Sequence, residues 1–200
     1  DGKTPGTRPK MVALLRAELI KAQEYLKKKE TAEKGKEPEP SLRSEALVPV
    51  LKGARPLLVT VQRASDILTA LRVADEFRIK VVLDGAAEAQ AVVDPIRKAG
   101  VGVIVHPTMA RHGGQLENAS FETASVLKQA GIPIALQTGF EGYVPKVRVL
   151  LFEAAVAVVE QEVELADRVV AAGAHLQSVR HQLAVFLEIE SHQLFGIQAE

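Results

Sequence analysis

Pro56-Leu57-Leu58-Val59-Thr60-Val61, Lys80-Val81-Val82-Leu83-Asp84, Val101-Gly102-Val103-Ile104-Val105-His106 and Ile132-Pro133-Ile134-Ala135-Leu136-Gln137 are four short apolar runs, each followed by a stretch of helical period. Short runs rich in Val, Leu and Ile that alternate with helical stretches read as parallel strands joined by crossover helices. The rhythm predicts an α/β fold: a parallel (β/α) repeat of four strands flanked by N- and C-terminal helices. Parallel strands joined by crossover helices bring their C-terminal ends to one rim, where ligands bind and chemistry occurs. The strand ends are therefore where a site belongs.

Between the strands the helical pattern is legible in detail. Ile67, Leu68, Leu71, Ala74 and Phe77 form one apolar face of a helix over 66–77, with Ser65 as N-cap. A second helix over 87–99 carries Val92, Val93 and Ile96 inward, meets Pro95, and ends at Gly100 as C-cap. A polar loop over 107–118 precedes a third helix over 121–130, closed by Gly131. A long helix is expected over 146–172, with Pro145 in its first turn, a position proline favours. A final helix is expected over 175–188.

Ahead of the repeat, Met11, Val12, Leu15, Leu19, Ala22 and Leu26 recur at helical spacing. The charged stretch 27–36 and Glu37-Pro38-Glu39-Pro40 then read as a linker whose lysines are solvated. The resulting division is a helical segment over 1–53, the (β/α) repeat over 54–173 and a helical tail over 174–200.

Composition narrows the function classes. The chain has 200 residues, 47% hydrophobic and 25% charged, enough for a folded domain with a true core. Lys plus Arg equals Asp plus Glu, so no net charge draws it to nucleic acid or an anionic membrane. Cysteine is absent, which excludes disulfides, thiolate nucleophiles and Cys-based zinc sites. No apolar stretch reaches the ~18–20 residues of a membrane span. The expected protein is soluble, with cytoplasm and periplasm both open.

Six strings carry a family resemblance: Ala64-Ser65-Asp66-Ile67 with Ala70-Leu71, Leu83-Asp84-Gly85-Ala86-Ala87-Glu88-Ala89, the run from Ala130 to Gly139, Leu150-Leu151-Phe152-Glu153-Ala154-Ala155, and Leu194-Phe195-Gly196-Ile197. Together they resemble the C-terminal half of an amidohydrolase-superfamily barrel, nearest the imidazolonepropionase-like branch. The likeness extends over about 55–157. It implies that the four strands are the last four of an eight-stranded (β/α) barrel, from a hydrolase of C–N bonds other than peptide bonds. It also implies metal stations at strand ends, and these depart from the family pattern. Val61-Gln62 stands where the family has a ligating His, Asp84-Gly85 where it has His-Gly, and Thr138-Gly139 where it has an Asp. One carboxylate does not hold a metal. The expectation is a barrel segment without metal-dependent activity of its own, zinc entering only with ligands from outside this chain. The alternative is a scaffold or binding module.

The rim candidates follow from position. His106 and Asp84 end strands and are the candidate catalytic residues; for His106 the competing reading is a polar group satisfied by loop hydrogen bonds. Gln62, His112, Thr138, Glu141 and Tyr143 are the candidate substrate contacts. Glu88 reads as a structural complement to the dipole of the helix it opens. His175, His181 and His192 fall outside the repeat and share no helical face. Four parallel strands alone leave two open edges, which invite pairing. The expected partner is a missing N-terminal half or a second copy, with a small molecule at the strand ends. A flavodoxin-like doubly wound sheet is the remaining alternative.

Overall fold

The structure, a computed structural model, describes residues 6–33, 38–108, 113–138, 140–141, 144–145 and 149–159. It divides into two compact units, Asp1–Leu57 with Val73–Lys80, and Leu58–Arg72 with Val81–Glu200. The expected tail over 174–200 and its histidines lie outside the described residues, as does the expected long helix beyond residue 159.

In the first unit, α1 (Arg8–Thr31) begins where the Thr7 side chain accepts from the Lys10 N–H, a true N-cap. It runs five residues into the stretch expected as linker, since Lys and Glu are good helix formers. Leu19 and Ala22 are fully buried, and the helix packs against α2 (Leu42–Leu51), which Ser41 caps through the Ser44 N–H. Glu45 on α2 accepts from Lys29 Nζ at 2.7 Å and from the Tyr25 hydroxyl, both on α1. Those two bonds hold its carboxyl below the usual range, and the same carboxylate raises the Tyr25 phenol.

The second unit holds the sheet. Its strands are β1 (Leu57–Val61), β2 (Val81–Gly85), β3 (Gly102–Val105) and β4 (Ile134–Leu136), joined by α3 (Ala64–Phe77), α4 (Val93–Ala99) and α5 (Thr123–Gln129). All four runs singled out by sequence are strands, and the sheet is parallel. Its order is β1-β2-β3-β4, without the reversal that marks a doubly wound sheet. A four-stranded parallel sheet in chain order, flanked by helices, is a partial TIM-like barrel.

Side-chain alternation separates the two faces. Val81, Leu83, Val103, Val105 and Ile134 are buried, and with Ile96 and Leu127 they make the core. The opposite face carries Leu58 and Thr60 of β1, Val82 and Asp84 of β2, Ile104 of β3 and Ala135 of β4, in register Asp84 to Ile104 to Ala135. Leu58 is 57% exposed.

Four local expectations change. The second helix opens as a 3₁₀ turn at Ala89–Val92, and α4 itself starts only at Val93, with Pro95 in its first turn. Ser65 does not cap α3, because the helix already includes Ala64. Leu68 of the expected apolar face is exposed, whereas Ile67 is fully buried. Pro145 does not open a helix: Phe140–Glu141 (β5) and Val144–Pro145 (β6) form a short antiparallel ladder, and α6 runs over Leu150–Val159. Proline tolerates such a position because a ladder this short asks little of its missing N–H.

Candidate functional site

The first two strand ends are stitched together through their backbones. The Ala86 N–H donates to Val61 O at 2.6 Å, and the Glu88 N–H to Gln62 O at 2.9 Å. The Gln62 side chain adds a third link, its Oε1 accepting from the Ala87 N–H at 3.2 Å. This crossing demands Gly85. Its φ is +87°, and a Cβ there would lie 2.3 Å from Gln62 Nε2. Gln62, expected as a substrate contact, thus braces the turn after β2.

Glu88 takes an unexpected position. Its Oε2 accepts from the Ala64 N–H at 2.8 Å, which caps α3, the helix before its own; its Oε1 accepts from Asn118 Nδ2 at 2.8 Å. Those two bonds hold its carboxyl below the usual range, the one from Ala64 foremost. The role is structural, as expected, but the helix served is a different one.

Asp84 lies on the face opposite the core, half-buried. Its Oδ2 accepts from Thr60 Oγ1 at 2.8 Å and its Oδ1 from Gln137 Nε2 at 3.0 Å. Gln137 follows β4, two strands away in the sheet order, and reaches Asp84 across β3. Side chains of alternate strands meet in this way on the inner face of a barrel. No Lys, Arg or His pairs with the Asp84 carboxylate among the described residues.

His106 is placed differently. Its N–H donates to Gly85 O at 2.6 Å, tying β3 to β2. Its side chain is 1% exposed, with Nδ1 2.9 Å from Pro107 O and Nε2 3.3 Å from Thr123 Oγ1 on α5. Thr123 passes the chain on to Gln90 Oε1 at 2.8 Å, and Gln90 Nε2 donates to Asn118 O at 3.1 Å. The two candidate catalytic residues therefore belong to separate networks: Asp84 bonds across the strands, His106 toward the helix layer. Thr138 is half-buried after β4. The Glu141 backbone lies in β5, while His112 and Tyr143 are outside the described residues.

Two pairs escaped the sequence reading. Thr60 and Gln137 were recognised only as strand residues, yet they bind the rim carboxylate; the layering of alternate strands is the signal that would have joined Gln137 to Asp84. The second pair is Thr108 and Glu153. Thr108 Oγ1 donates to Glu153 O at 2.9 Å and also to its carboxylate, and Glu153 is 2% exposed. A lone Glu within the apolar run of α6, beside inward Ala154 and Ala157, was its visible mark.

The described residues of this set offer one carboxylate, Asp84, whose two oxygens already accept from neutral side chains, while Gln62 is committed to Ala87. No group of three His, Cys, Asp or Glu side chains able to hold a metal converges among the described residues. Nor is any helix among them long and apolar enough to cross a membrane.

No protein-family model matches the chain, and no curated protein does. A solved amidohydrolase from Thermotoga maritima is similar, at 30% sequence identity and a TM-score of 0.73, over 80% of this chain and 42% of the neighbour's. The chain thus spans less than half the length of that protein, and its fold is amidohydrolase-like.

Proposed function

We propose that this chain supplies the second half of an amidohydrolase-like (β/α) barrel, in the imidazolonepropionase-like branch. Its ancestry is in hydrolysis of C–N bonds other than peptide bonds, and its own strand ends bind a small molecule without holding a catalytic metal. The Asp84 carboxylate carries the reading. It stands at a strand end where a metallohydrolase needs ligands, and it is bound instead by Thr60 and Gln137. Metal-dependent hydrolysis requires several His or carboxylate ligands around a cation that activates water. Elemental analysis of the purified chain tests this: no stoichiometric zinc is expected. Zinc at one equivalent, lost in Asp84→Ala, would overturn it.

A second reading, an assembly module that closes its barrel with another half, draws on the open face. Leu58 stands 57% exposed on β1, an edge strand of this sheet, and unpaired edges favour association. Light scattering on the eluting chain is its test: association or co-purification with a barrel-completing chain is expected, and a stable monomer counts against it.

A further inference from the structure

We infer that the Thr60–Asp84–Gln137 row is a subsite for an organic cation, an ammonium or guanidinium group on a small molecule. The inference rests on the metal-free rim proposed above and names what that rim takes.

Thr60 has one O–H, and it is spent on Asp84 Oδ2. One N–H of the Gln137 amide is spent on Asp84 Oδ1. What the row has left is mostly acceptors: the remaining lone pairs of the carboxylate, the Gln137 Oε1 and the lone pairs of Thr60 Oγ1. Such a set calls for a ligand with several N–H donors.

Charge points the same way. A carboxylate partly withdrawn from water is stabilised by an opposite charge, and neutral donors supply only part of that. Asp84 is half-buried, and its hydrogen bonds come from two neutral groups. Among the described residues no side-chain cation reaches it. A bound cation would complete the pair with a charge-assisted bond, roughly twice as strong as a neutral one. A metal ion is the poorer candidate, because hard cations take about six or more oxygen ligands, a fuller shell than this row supplies.

Surroundings set the shape of the ligand. On the same face Leu58 and Val82 lie toward the strand starts, while Ile104 and Ala135 stand level with Asp84 in the strand register. The cationic head would sit at the polar end and an apolar body along this surface.

The full chain can be titrated in solution with ethylammonium chloride and with methylguanidinium chloride, following backbone amide shifts. Sodium acetate and calcium chloride serve as comparisons. Saturable shifts centred on Thr60, Asp84 and Gln137 are expected with both organic cations and not with acetate. Asp84→Asn should weaken them by about tenfold or more, and Gln137→Leu, which keeps the charge, by less. The spectrum of each variant reports its fold at the same time. Shifts that persist in a folded Asp84→Asn chain, absence of saturable shifts, or calcium binding in place of the organic cations would each overturn the inference. Failure on a metal-free chain leaves the proposed function standing. Stoichiometric zinc overturns that function whatever the amines do.

Discussion

The two faces of this sheet are built to different standards. Toward the helices, Leu83 of β2 is fully buried and Val81, Val103 and Val105 lie against it in a continuous core. Toward the other side Val82 is buried, but Leu58 is largely open, and Thr60, Asp84 and Gln137 are joined by hydrogen bonds. One face is satisfied by burial throughout, the other by burial at Val82 and polar bonding at the strand ends. The contrast teaches that an apolar core face and a polar row are separated across a thickness of one strand, so substitutions at Leu83 and at Asp84 of β2 should have different consequences for stability.

Leu83→Ala is the sharpest way to break the comparison. It removes a buried side chain and leaves a cavity, so a loss of ~2–5 kcal/mol in denaturant unfolding is expected. A loss below about 1 kcal/mol would mean the helix-side core is not the stabilising face.

Gly85→Ala comes next. A Cβ at φ +87° is strained and also meets the Gln62 amide; the expected cost is about 1–3 kcal/mol. The displaced Gln62 then has little more to lose, so a double-mutant cycle with Gln62→Ala should show less-than-additive loss. Additivity would show that Gln62 does not brace this turn.

Glu88→Gln should have a smaller effect, below about 1 kcal/mol, because the half-buried cap keeps an amide oxygen that can still accept from Ala64. Its sign with pH is fixed by the lowered carboxyl. A group whose folded value lies below its unfolded one stabilises fully above the ordinary glutamate range. That contribution disappears as pH falls through the folded value. The gap between wild type and Glu88→Gln should therefore close in acid, and a gap that widens there would refute the cap.

Leu58→Ser should change the stability of the chain least, within about 0.5 kcal/mol. A loss comparable to Leu83→Ala would mean that the two faces are not different after all.

Much of this was legible beforehand, and the misses have physical causes. The four strands were found because Val, Leu and Ile cluster in short runs between turn residues, a signal that is local. Gly100 was found because a left-handed helix end asks for glycine, and its φ is indeed +65°. The cap of α3 was missed because it comes from Glu88, 24 positions beyond Ala64. Gln137 was missed for the same reason, 53 positions from Asp84. Pro145 misled because a single proline fits both a first helical turn and a ladder that needs no N–H. His106 was rightly placed at the end of its run, but only the folded chain shows the ring in the Thr123–Gln90 network.

The cap supplied by Glu88 has a further consequence. A repeat is usually pictured as a series of finished modules, each able to form before the next is added. Here the start of α3 stays incomplete until the turn after β2 arrives with its carboxylate, and that turn is itself held by Gln62 and the end of β1. The first two strand–helix modules are reciprocally dependent. Their amides should exchange with solvent as one cooperative block, and a chain cut between them would yield two pieces that each lack a part the other carries.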